Sequence, residues 1–206
     1  MWLACASCAS SAPVLHPIQP PYPGRVHLVA GGTAVVPFGE LEDSERAGRV
    51  SGLSPHGRVH VGVVRDVEVR GGWTGDQGTL GARWAPPLDE LRKWRASLGL
   101  DLAVGLPHEA LGPRFGGDVT AGFGRTYTDL FHLWIAATTG SSFAPASDDT
   151  GSSALRIHGG LVLGFAVGFR RLHAIVEIGA GVQHDRADSE RTGLYLVPGF
   201  ALAARL

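Results

Sequence analysis

Residues 155–170 read LRIHGGLVLGFAVGFR. Alternate positions fall into two sets. Leu155, Ile157, Gly159, Leu161, Leu163, Phe165, Val167 and Phe169 are large and apolar apart from one glycine. Arg156, His158, Gly160, Val162, Gly164, Ala166, Gly168 and Arg170 are small, with charge at both ends. A period of two is the period of a β-strand. The large face suits lipid. The small face suits a crowded lumen, where Gly and Ala leave room for long side chains from elsewhere. About 9–11 residues of tilted strand cross a bilayer, and this run is long enough.

The same alternation recurs along the chain. Ala96–Leu106 places Leu98, Leu100, Leu102, Val104 and Leu106 on one face, with Ser97, Gly99, Asp101, Ala103 and Gly105 on the other. A lone aspartate on a lipid-facing strand is costly, so Asp101 is expected to point inward. His173–Gln183 sets Ala174, Val176, Ile178, Ala180 and Val182 against His173, Ile175, Glu177, Gly179, Gly181 and Gln183. Arg58–Val64, Val67–Trp73 and Thr79–Ala85 alternate in the same way, and Gly117–Tyr127 and Asp129–Thr139 do so more weakly. Arg25–Phe38 is apolar on both faces, which leaves its register open. Gly193–Leu206 closes the chain with Leu196, Phe200, Leu202 and Leu206 on one face. These runs predict an all-β, antiparallel, up-and-down transmembrane β-barrel of about ten strands over residues 25–206, with eight as the alternative count. Residues 88–94 are expected to form one helical turn.

Parity supports ten. The long connections 39–57, 107–116, 140–153 and 184–192 fall at one end. The short turns Arg65-Asp66, Thr126–Thr128 and Arg170-Arg171 fall at the other, with both termini. Long outside and short inside is the usual asymmetry of membrane barrels.

Composition bounds the function. The 206 residues carry 18 basic and 19 acidic side chains, so no polybasic surface for nucleic acid is implied. Lys93 is the only lysine, and asparagine is absent, a bias that fits a GC-rich genome. No apolar run reaches the roughly 18–20 residues of a membrane helix. Entry into a membrane therefore requires a closed barrel.

Residues 1–24 are expected to be a signal remnant or lipoprotein-like N-terminus followed by a Pro- and Ser-rich linker. Trp2-Leu3-Ala4-Cys5 resembles the end of a bacterial lipoprotein signal, and Cys8 after Ala6-Ser7 is a second candidate for lipidation. A CxxC redox site is a third reading, but no thioredoxin-like βαβ pattern follows it.

From about residue 25 to 206 the chain resembles the broad group of bacterial outer-membrane β-barrel proteins. Its last strand resembles that group's terminal β-signal, with Leu206 where an aromatic residue is usual. The resemblance implies residence in the outer membrane, contact with its lipid, insertion by the barrel-assembly machinery and, in this size range, a monomer. It implies no activity.

The expected inward charges are Glu68, Arg70, Arg83, Asp101, Arg156, His158 and Glu177. In a narrow barrel they form a buried network of ion pairs, a filling rather than a catalytic set; a narrow ion or solute path through the same charges is the alternative. Mixed signs favour filling, because buried charges persist when paired. His56 and His60 have i, i+4 spacing, but Pro55 and Gly57 place them at a strand entrance. Without a helix that spacing is not expected to bring both imidazoles onto one face for zinc. No P-loop, GxSxG or complete GxGxxG occurs, and no cofactor, metal or catalytic residue is assigned.

Two types of enzyme occur in the group. The lipid A deacylase type needs a His two residues before a Ser, which this chain lacks. Omptin proteases keep acidic and His residues at the outer rim, where His184, Asp185, Asp148 and Asp149 would sit, but omptins are longer. The expected role is non-enzymatic: structural, surface-contacting or a minor transport function. The alternatives are an outer-membrane enzyme acting on lipid or peptide and a soluble, lipocalin-like ligand-binding barrel. The last requires polar residues outside and apolar ones within.

Overall fold

A computed structural model describes residues 19–39, 52–75, 77–105, 113–128, 130–145, 154–169, 171–186 and 190–206. Cys5, Cys8, Asp148, Asp149 and Arg170 lie outside the described residues. Ten strands follow in chain order: β1 Val26–Gly39, β2 Gly52–Val64, β3 Val67–Thr74, β4 Gln77–Trp84, β5 Trp94–Gly105, β6 Arg114–Thr128, β7 Phe131–Ala144, β8 Ala154–Phe169, β9 Leu172–Arg186 and β10 Glu190–Arg205. Each pairs antiparallel with its neighbour, and β10 returns to β1, so the sheet closes and leaves no edge. The count is ten, not eight, because the two weaker runs are β6 and β7.

Register fixes the facing. Following paired positions once round the wall from His27 leads back to Gly39, at the other end of the same strand. That stagger tilts the strands by about 40°. On β8, Leu161 and Leu163 are 59% and 52% exposed, whereas Val162, Gly164 and Ala166 are buried. The ambiguous β1 resolves with His27, Val29, Thr33 and Val35 inward and Leu28, Val36 and Phe38 outward.

Outward aromatics mark both ends of the wall, with Phe123, Phe165 and Phe200 between them. Trp84, Tyr127, Phe131 and Phe169 lie near the short turns, and Phe38, Trp73, Phe115 and Phe143 lie toward the long connections. Between Phe131 and Phe143 the strand climbs about 30 Å, at about 3.3 Å per residue and a tilt of about 40°. A bilayer's hydrocarbon core is about 30 Å thick.

The strands run further into the long connections than their polar composition implies. β2 begins at Gly52, β6 at Arg114 and β10 at Glu190, while β7 continues to Ala144 and β9 to Arg186. Beyond the lipid a strand can be polar on both faces, so the alternation fades while the hydrogen-bond ladder continues. Pro55 shows how the ladder survives. Its carbonyl accepts from Gly75 N at 2.9 Å, toward β3, so the missing N–H also faces that side. The pairing with β1 at Gly32 is kept.

Residues 88–94 hold no helical turn. Asp89 Oδ1 accepts from Trp94 N at 2.8 Å, and Leu88 N donates to Trp94 O, so this connection doubles straight back into β5.

The lumen divides lengthwise. Against β7–β10 and β1 it is packed with apolar side chains: Val29, Trp134, Ala166, Ile175, Ala201 and Ala203 in one cluster, and Val35, Tyr195 and Val197 in another. Against β2–β6 it is charged.

Candidate functional site

The charged half is built by the alternation itself. Every residue of the predicted set faces inward. Arg70 donates from Nε to Asp101 Oδ1 at 2.7 Å and from Nη2 to Oδ2 at 2.5 Å, a two-point bridge from β3 to β5. Arg83 pairs with Glu68 through a hydrogen bond, Nη2 donating to Oε2 at 3.0 Å, with Nε 3.0 Å from Oε1 in ion-pair range. His60 Nδ1 stands 3.0 Å from Glu68 Oε1. The forked Arg70–Asp101 contact is the strong form of a guanidinium–carboxylate pair.

The other members belong elsewhere. Glu177 accepts from the indole Nε1 of Trp134 at 2.9 Å, on the apolar side. Opposite that ring sits Gly164, where a Cβ would collide with the indole. The small face of β8 therefore makes room for a long side chain of β7. His158 Nε2 lies 2.8 Å from Asp118 Oδ1. Arg156 faces inward near the long-connection end, opposite Ser142.

The sequence reading missed several inward polar residues. Arg58, His60, Arg95, Arg114, Asp118, His132 and His173 are all buried. Their signal was present: Arg58 and His60 alternate with Val59 and Val61. Arg58 faces the lumen and is 6% exposed.

His56 and His60 correct the expectation about their spacing. On a strand, i and i+4 do share a face, and both imidazoles point inward. Distance keeps them apart instead, about 13 Å along the strand. His56 Nε2 meets Thr33 Oγ1 at 2.7 Å, and His60 meets Glu68. Among the described residues no three His, Cys, Asp or Glu side chains come together as a metal site.

At the end carrying the short turns, Arg92 and Arg95 both donate to Asp66 Oδ1, at 2.6 and 2.9 Å. The β2–β3 turn is thereby tied to the β4–β5 connection. Deeper at this end, His132 Nδ1 and Thr126 Oγ1 are 3.0 Å apart, and the His132 and His173 rings lie 5.4 Å centre to centre.

The segment before β1 crosses this opening. Pro20 and Pro21 are buried. Gly24 N donates to Gly62 O at 2.9 Å, and Gly62 N to Arg25 O at 3.0 Å. A Cβ on Gly62 would strike the carbonyls of Pro21 and Tyr22, so the close approach requires glycine. A cavity of about 410 Å³ remains under the segment, lined in part by Arg25, His27, Arg171 and Arg205.

Of the proposed rim residues, His184 faces outward with Nδ1 2.8 Å from Thr192 Oγ1.

No family model matches the chain, and no curated protein matches it. Among solved structures it is similar to Neisserial surface protein A (NspA), with a TM-score of 0.40 and 9% identity over 88% of this chain and 96% of that one. The chain's own wall is closed and even-stranded, apolar outside and with charges buried in its lumen, the arrangement of a transmembrane β-barrel.

Proposed function

We propose that this chain is an integral outer-membrane protein with a filled lumen and a non-enzymatic, structural or surface-contacting role. The observation that carries this reading is the inverted distribution of side chains. Large apolar residues such as Leu80, Leu102 and Leu161 are about 60% exposed, at 63%, 59% and 59%, while Glu68 and Glu177 are 0% and 1% exposed. In water the outward apolar face is costly, whereas in a bilayer it is favourable. The inward charges persist because they are paired. The distribution is also the reverse of what a soluble ligand-binding barrel needs.

The short turns and both barrel termini would face the periplasm, and the long connections the exterior. The charged set would serve as packing, each carboxylate set against arginine, histidine or indole. Contact with outer-membrane lipid, assembly by the barrel-assembly machinery as a monomer, and acylation at Cys5 or Cys8 belong to the same proposal. The protease-like reading has less support, because His184 turns outward against Thr192.

The test uses isolated outer membranes. The protein should resist alkaline extraction and run faster on a detergent gel unboiled than boiled. Extraction as a soluble protein with no mobility difference would refute membrane residence. A steady conductance of the wild type in planar bilayers would refute the filled lumen.

A further inference from the structure

Outside the lumen, one charge stands apart. Arg125 lies on the outer face of β6, between the outward Phe123 and Tyr127 and near the short-turn end. Its guanidinium carbon sits 4.9 Å from the ring centre of Trp94 and 4.7 Å from that of Tyr127. Trp94 in turn stacks on Phe123 at 5.0 Å, and Tyr127 leans on Phe131 at 5.4 Å. No carboxylate among the described residues pairs with Arg125, and its Nε is buried against the surrounding side chains.

A cation facing lipid is expensive unless it finds an anion at the interface. Here two rings, Trp94 and Tyr127, hold the guanidinium by cation–π attraction, each backed by a phenylalanine; with Nε buried, the Nη edge is left for an acceptor. The geometry points to a phospholipid site: Arg125 binds the phosphodiester of a lipid in the leaflet at the short-turn end, and the flanking rings contact its glycerol and upper acyl chain. Guanidinium and phosphate oxygens match as a two-point, charge-assisted pair.

The inference rests on the transmembrane reading, and the experiment separates the two. The full chain is folded into neutral maltoside micelles, checked by the mobility of unboiled samples, and loaded with phosphatidylglycerol. Native mass spectrometry then counts retained lipid. The wild type should keep one phosphatidylglycerol, and Arg125→Gln should keep about tenfold less, the loss of one charge-assisted pair. Tyr127→Leu, which retains the charge but removes one ring, should fall between them. Arg171→Gln, at the same end but in a turn, should match the wild type. Equal retention by Arg125→Gln in folded barrels overturns the site and leaves the membrane reading standing. Displacement of the lipid by millimolar inorganic phosphate overturns it as a lipid site in favour of a free-anion site. A wild type that does not fold in micelles overturns both.

Discussion

Replacing Glu68 with glutamine separates a filled lumen from a wet one. The side chain keeps its volume and loses its charge. In the wild type the carboxylate is 0% exposed and takes two 3.0 Å contacts from Arg83 and one from His60, which are themselves 3% and 1% exposed. The variant leaves the Arg83 guanidinium buried beside a neutral amide. Breaking a buried pair from one side costs about 3–5 kcal/mol, because the remaining charge stays desolvated. If water reached the pair, the loss would be about 0–1 kcal/mol, the range of exposed ion pairs. Urea unfolding in detergent micelles, followed by tryptophan fluorescence and unboiled-gel mobility, resolves that difference. The double variant Glu68→Leu/Arg83→Met should recover most of the loss, since the uncompensated charge is gone. A loss below about 1 kcal/mol in Glu68→Gln would refute the burial argument and with it the filled lumen.

Other substitutions probe the remaining parts of the wall. Leu163→Arg places a charge on the outward face in the middle of β8 and should cost about 2–4 kcal/mol and impair assembly; normal assembly would mean the facing is reversed. Gly164→Val drives a side chain into the Trp134 ring and should cost about 1–3 kcal/mol with a shifted tryptophan emission, whereas an unchanged spectrum would contradict the position of the ring. Trp134→Phe leaves Glu177 without its indole donor and should destabilise by about 1.5–3 kcal/mol; Glu177→Gln in that background should recover part of the loss. Gly62→Val should push Pro20–Arg25 off the barrel end and make that segment cleavable by added protease; unchanged protection would refute its packing on Gly62.

Facing was legible in the sequence wherever lipid enforces it. β5, β8 and β9 alternate cleanly because each second residue must be apolar over the depth of the membrane. The larger boundary errors lie toward the long connections, at Gly52, Arg114, Ala144, Arg186 and Glu190. There no solvent contrast separates the two faces, and serines, prolines and charges look like loop. Partnership was not legible. Arg70 meets Asp101 and Arg83 meets Glu68 because of the stagger between neighbouring strands, which alternation does not encode. Glu177 looked like another member of the charged set, yet the stagger carries it to Trp134 on the apolar wall. His56 and His60 have a spacing that pairs imidazoles on a helix, whereas a strand puts them on one face and separates them by length.

The lengthwise division of the lumen constrains any path through it. Trp134, Ile175, Tyr195 and Val197 occupy the side formed by β7–β10, so a hydrated route must follow β2–β6. Along that wall a solute meets the Arg70–Asp101 and Arg83–Glu68 bridges in series. Parting one such bridge without replacing either partner costs about 3 kcal/mol or more, a population loss of over a hundredfold. A permeating ion avoids this cost only by standing in for one partner. Among the described residues on the β2–β6 side, the inward arginines at positions 58, 70, 83, 95 and 114 outnumber the carboxylates at 68, 101 and 118, even with Asp66 at the turn beside Arg95. The species that can substitute is therefore an anion taking a carboxylate's place. If Glu68→Gln opens the lumen, the current it carries should be anion-selective, and a cation-selective current would mean that the arginines do not line the path.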